Sequence, residues 1–209
     1  ALGVLALEKN TTGNYNVALG SYALRFNTTG YSNTANGDAS LYSNTTGFRN
    51  TASGVQSLFK NTTGSTNTSF GHFSMYNSTT GSSNSVIGHE ALISNTTGNQ
   101  NTALGKQAGY KNSTGSGNVF VGYQAGYWLG TSAHSNIHIG YKSGLASTDS
   151  KHTGDHNICI GEETAKVLTS GDKNTMIGGF SGQDLTTGKF NTCLGYEAGK
   201  DLTTGNTSD

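Results

Sequence analysis

Between Asn16 and Gly20 the chain reads N-V-A-L-G: polar, apolar, small, apolar, glycine. The same five positions return as NTANG from Asn33, NTASG from Asn50, NSVIG from Asn84, NVFVG from Asn118 and NICIG from Asn157. On an extended segment the first and third of the enclosed residues share one face, and the second points the other way. The first and third are mostly Thr, Val, Ile or Leu. The middle column runs Ala18, Ala35, Ala52, Ser69, Val86, Ala103, Phe120, His138, Cys159, Met176 and Cys193. It is small at first, bulky or soft later, and never formally charged. A strand that is apolar or small on both faces is covered on both sides. One face fits inside a coil of the chain, and the other needs a partner.

The spacing of these segments predicts the architecture. Asn10, Asn27, Asn44, Asn61, Ser78, Asn95 and Asn112 follow one another at 17 residues. Two further columns keep the same step, Asn16, Asn33, Asn50, Asn67, Asn84, Asn101 and Asn118, and Gly20, Gly37, Gly54, Gly71, Gly88, Gly105 and Gly122. Beyond them only the steps to Gly140 and to Gly161 lengthen, to 18 and 21 residues. This period is too short for helix-pair repeats or a propeller blade, and no apolar stripe at 3.6-residue spacing appears. The reading is an all-β parallel β-solenoid, or β-roll, of about twelve 17-residue coils. Each coil holds a strand such as NVALG, a turn, a second strand such as ALRF, and a loop NTTG. At about 4.8 Å per coil the rod is roughly 55 to 60 Å long. Stacked asparagines would form amide ladders between coils, and the glycines would stand at the corners.

Six residues after the middle column stand Leu24, Leu41, Leu58, Met75 and Leu92, then Gly109, Gly126, Gly144, Ala165, Gly182 and Gly199. Bulk leaves this column as it enters the strand. We therefore read residues 1–104 as regular coils and 105–209 as the same solenoid with an altered cross-section and insertions near 128–156. The chain opens on ALG, the end of a repeat, and reads as an excerpt of a longer protein.

NVALG, NSVIG, NVFVG and NICIG followed by a small residue resemble the repeats of trimeric autotransporter adhesin heads. NTTGxxNTALGxxAL is similar to repeats in the shafts of phage and phage-like tail fibres. The resemblance covers essentially the whole chain and implies a left-handed β-roll, three chains packed as a homotrimer, and a place in the virion or on a cell surface. It implies a fibre shaft that holds a distal receptor-binding tip, with a cell-surface glycan or protein as receptor. A self-assembling extracellular filament is the alternative, followed by an ice- or surface-binding solenoid built on the NTT threonines. Adjacent threonines of an extended loop point to opposite sides, which leaves one outward row.

Composition narrows the partners. The 209 residues carry zero formal net charge, 11% charged and 32% hydrophobic residues, 31 glycines and no proline. A neutral balance gives no electrostatic argument for nucleic acid or an anionic membrane, and no run reaches the length of a membrane span. Proline is absent where nearly every backbone N–H is needed for pairing.

Candidate chemistry gathers where the period breaks. His134, His138, His152 and His156 lie there beside Trp128, and bulging loops are where a solenoid places recognition. These are candidate binding residues, against the plain alternative of a structural insertion. The spacing HxxxH occurs at 134/138 and at 152/156, but only a helix would bring such a pair together. His138 is a candidate metal ligand, three copies meeting if its position faces the axis of a trimer; no other metal or cofactor is called for. Tyr42, Phe59, Tyr76, Ile93, Tyr110 and Tyr127 form a nearly aromatic column, either a packing ladder or a platform for a glycan. Cys159 and Cys193 stand two coils apart, too far for a disulfide, and read as buried thiols. Asn-x-Ser/Thr occurs at residues 10, 27, 44, 61, 67, 77, 95, 112 and 206, either glycosylation acceptors or simple turns. No nucleophile elbow, phosphate loop or paired-carboxylate motif is present, and we read no catalytic site.

Overall fold

The computed structural model describes residues 1–130, 132–146 and 152–204. Among them are eleven three-residue strands in one parallel sheet, in strict chain order, from β1 (Val17–Leu19) to β11 (Thr192–Leu194). The segment before β1 joins the sheet through a bridge from Leu2 to Leu19. The all-β parallel solenoid is the fold. Register steps by one repeat each time: Val17 pairs with Thr34, and Thr34 with Thr51. The register survives both insertions. β7 (Val119–Val121), β8 (Ile137–Ile139) and β9 (Ile158–Ile160) align Phe120 with His138 and His138 with Cys159, so the extra residues leave the sheet undisturbed.

The second predicted strand does not form. In the segment after Gly20, Tyr22 and Leu24 are left-handed, with φ of 59° and 51°, and the equivalent residues of later coils repeat this. The backbone still bonds between coils: the N–H of Tyr22 donates back to Val4 (2.7 Å) and that of Leu24 forward to Ser40 (3.0 Å). Left-handed backbone costs a residue with a side chain about 1–2 kcal/mol. Here the neighbouring coils impose it, each satisfying the polar groups that the turn exposes.

Both asparagine columns are ladders. The Oδ1 of Asn33 accepts from the backbone N–H of Asn50 (3.0 Å) and from its Nδ2 (3.2 Å), while that Nδ2 also donates to the carbonyl of Gly64 (2.8 Å). The pattern runs from Asn16 through Asn191. In the NTTG column, Asn27 Nδ2 donates to Asn10 Oδ1 (2.7 Å) and to Gly30 O (2.9 Å), closing its loop. This ladder lapses at Ser78 and does not resume at Asn95: among the described residues Asn61 Oδ1, Ser78 Oγ, Asn95 Oδ1 and Asn112 Oδ1 have no partner. The corner glycines are required by space as well as by conformation. Gly88 has φ of 145°, and a Cβ there would lie 2.3 Å from the carbonyl oxygen of Gly105.

The structure decides which strand face turns inward. The middle column, from Ala18 through Met176, is buried inside the roll against the Leu24, Leu41, Leu58, Met75 and Leu92 column. Its exchange of bulk is direct. A Cβ on Gly126 would meet the Phe120 ring at 2.4 Å, and one on Gly182 would meet Met176 Sδ at 2.3 Å. The cross-section changes from Gly109 onward while the sheet runs through unbroken. The apolar core instead divides further along, into one cluster ending at Ala133 and another beginning at Cys159. Between them sit His138 and His152. Outward, the flanking positions leave an apolar row: Val17 is 45% exposed, Ile87 50% and Leu104 47%.

Candidate functional site

The four histidines of the irregular coils are brought together, but not in the pairs their spacing suggests. His138 packs its ring 5.3 Å from that of His152, nearly perpendicular to it. His134 lies beside His156, whose N–H donates to the His134 carbonyl (3.1 Å). His138 lies in β8 and His134 before the left-handed Ser135 that precedes the strand, and neither HxxxH stretch is helical, so neither motif closes on itself.

His138 takes the middle position of β8 and is fully buried, with the Phe120 ring stacked parallel at 6.0 Å. That position faces the core of its own coil, which corrects the expectation of an axis-facing ligand: no association of rolls through their outer faces would bring three such imidazoles together. Among the described residues, both of its ring nitrogens and Nδ1 of His152 lack a hydrogen-bond partner. The nearest polar contact is Asn157 Nδ2, 3.4 Å from His152 Nε2. Burial makes the charged imidazolium costly. It holds the pKa of His138 well below its ordinary value, helped by the His152 charge, and lowers that of His152 to about 4. Among the described residues no group of three or more His, Cys, Asp or Glu side chains is arranged to hold a metal ion.

The other two histidines face outward. His134 Nδ1 accepts from the N–H of Ser116 (3.0 Å), and its own N–H donates to Asp155 (2.6 Å). His156 is exposed in a left-handed turn. Trp128 is half-buried, edge-on to Tyr127 at 5.2 Å, with the Lys111 ammonium 5.4 Å from its ring. It closes the end of an aromatic stack instead of standing free in a loop. The inserted residues 147–151 lie outside the described residues.

The aromatic column is a ladder in two pieces. Tyr42, Phe59 and Tyr76 stack in parallel at 4.9 and 5.0 Å, and Tyr110 stacks on Tyr127 at 4.7 Å. Ile93 separates them. Beside that interruption opens a groove of 330 Å³ lined by Gln56, Phe73, Tyr76, Asn77, Glu90 and Ile93. Sequence reasoning missed it. Its signals were the aliphatic residue in an aromatic column and the change from Phe73 to Glu90, Gln107 and Gln124 in the neighbouring one.

Six of the sequon asparagines are structural, while Asn10 and Asn77 are half-buried. Asn27, Asn44, Asn61, Asn67, Asn95 and Asn112 are buried, their amides donating to loop carbonyls or to the next rung, so a glycan on Nδ2 is incompatible with the folded coil. Asn206 lies outside the described residues. Of each NTT pair, the first hydroxyl is consumed between coils, as when Thr28 Oγ1 donates to the Thr45 carbonyl (3.0 Å). Thr29, Thr46, Thr63 and Thr97 are exposed, a single row. Cys159 and Cys193 are free and buried, one on either side of Met176, and burial pushes both thiols up from their ordinary pKa. No described helix is long and apolar enough to cross a membrane.

No family model, no curated protein and no solved structure matches this chain.

Proposed function

We propose that this chain is a structural element, the shaft of a homotrimeric extracellular or virion fibre whose product is length and stiffness. The observation that carries the reading is the outer strand face. After Leu19, Asn36 and Ser53, the third position of successive strands reads Phe70, Ile87, Leu104, Val121, Ile139, Ile160, Ile177 and Leu194, an apolar row in one sheet with no strand out of order. An apolar row of that length, on a chain of only 32% hydrophobic residues, is suited to burial against copies of itself. Association in parallel would hide the row and stiffen the rod. The likeness of its repeats to tail-fibre shafts and adhesin heads supplies the number three and the role of carrying a receptor-binding tip.

Light scattering on the purified chain tests this. The expected mass is three times that of the 21.6 kDa chain, and Leu104→Asp combined with Ile139→Asp reduces it to one. A wild-type mass of a single chain would overturn the reading. Growth of long polymers with no stable trimer would favour the self-assembling filament instead.

A further inference from the structure

The groove at the interruption of the aromatic ladder has the chemistry of a small-ligand site, on the segment that faces the outer strand row from across the core. Phe59 stacks on Tyr76 from one side. On the other side the next coil offers Ile93, and among the described residues no ring stacks there. Phe73 meets Tyr76 edge-on at 5.5 Å, braced by the His72 ring at 3.8 Å. Two neighbours of Phe73 in its column, one coil away on either side, are Gln56 and Glu90, about 10 Å apart by the coil spacing. Their polar groups are partly free. The Gln56 side chain makes no hydrogen bond among the described residues. Glu90 Oε2 accepts from Gln107 Nε2 (2.8 Å) and lies 3.7 Å from His89 Nδ1, while among the described residues Oε1 accepts none.

Charge selects the kind of ligand. Glu90 supplies one negative charge at one rim, and the Lys60 ammonium supplies a positive one, 5.3 Å from the Tyr76 ring and bonded to Asn77 Oδ1 (2.9 Å). With both signs present the groove favours neither a free cation nor an anion. A carboxylate oxygen and an amide that donates and accepts suit hydroxyl groups, and apolar ring surface suits the C–H face of a pyranose. The volume lies at the small end of ligand pockets.

We propose that this groove binds a neutral saccharide, one sugar ring lying along Tyr76 and Ile93 with hydroxyls donating to Glu90 and bonding Gln56. The role is independent of whether the rod is a fibre shaft. The test is titration of the full chain, ¹³C-labelled at isoleucine methyls, with the methyl glycosides of glucose, galactose, mannose and N-acetylglucosamine. Butylammonium chloride serves as the cation probe. At least one glycoside is expected to shift the Ile93 methyl saturably, with a dissociation constant of order 1 mM for so small and open a site. Glu90→Gln weakens that binding about tenfold by removing a charge-assisted hydrogen bond, and Gln56→Leu weakens it severalfold. Neither changes the melting temperature by more than a degree or two, because both side chains lie on the groove's rim. The proposal fails if no glycoside shifts Ile93, if the shift is indifferent to both substitutions, or if only butylammonium shifts it.

Discussion

Phe120 occupies the space that a side chain on Gly126 would need, its Cδ1 lying 2.4 Å from where that Cβ would stand. Six residues separate them, as six separate Ala18 from Leu24, and the two coils solve one packing problem in opposite ways. Phe120→Ala is expected to cost about 3–5 kcal/mol through the cavity it leaves. Gly126→Leu alone is also destabilising, by overpacking. Combined, they rebuild the arrangement of the first coils, where a leucine already adopts the left-handed backbone. Urea unfolding of the four variants should give a favourable coupling of at least 2 kcal/mol, and simple additivity would refute the exchange.

Asn84 is a rung with neighbours above and below. Its Nδ2 donates to Asn67 Oδ1 (3.1 Å) and to Gly98 O (3.0 Å), and its Oδ1 accepts from the N–H of Asn101 (2.9 Å). Asn84→Asp puts carboxylate oxygen against two oxygens in a fully buried place, so a loss of more than about 3 kcal/mol is expected, larger than for Asn84→Ala. Equal melting temperatures for the two variants would show that the ladder is not a network of directed bonds.

Ser78 is the first gap in the second ladder, where Asn61 Oδ1 and its own Oγ are without partners among the described residues. Ser78→Asn restores the residue found at equivalent positions and supplies a donor to Asn61. A gain of about 1 kcal/mol is expected, read as a higher denaturation midpoint at unchanged slope. A destabilised variant would mean that the local backbone has adapted to serine.

The buried imidazole pair makes stability depend on pH. His152 has its pKa lowered to about 4 in the folded chain, so between that value and 6.5 the unfolded chain binds the extra proton. Folding is therefore most stable above pH 6.5, weakens as pH falls towards 4, and loses nothing further from this group below that. His152 alone accounts for roughly 3 kcal/mol, and His138, lowered in the same direction, adds to it. Asp155 and Asp172 act oppositely on His152, favouring its charge. The Lys189 ammonium keeps Asp172 below its ordinary pKa, so its own contribution is lost only at more acid pH. Urea melts from pH 7.5 to 4.5 should show the decline, and His138→Phe with His152→Gln should flatten it. A slope unchanged by the double substitution would remove the histidines as its cause.

The strand, its register and both ladders were legible from position alone, because a fixed period leaves each column one kind of neighbour. What escaped was anything that period does not encode. The run Ala23 to Phe26 alternates as a strand does, yet alternation of left-handed backbone gives the same pattern of inward and outward side chains. Both strand faces are apolar, so periodicity could not say which is inside; the small residues opposite Leu24 decide it by volume. His138 meets His152 across a stretch whose length departs from the repeat, a relationship no spacing rule contains. The groove near Glu90 arises from one aliphatic substitution in a column, visible in the sequence but given meaning only by its neighbours in adjacent coils.

The unbroken register has a genetic consequence. Since the strands of successive coils pair in one register, deleting or duplicating one whole repeat of codons leaves the strand pairing matched and changes only reach, by about 4.8 Å. The longer steps to Asn136 and Asn157 are the exceptions, and the strand register is kept across both. Recombination between near-identical repeats thus acts on this chain as an adjustable ruler, in which length evolves by whole steps while the fold stays the same.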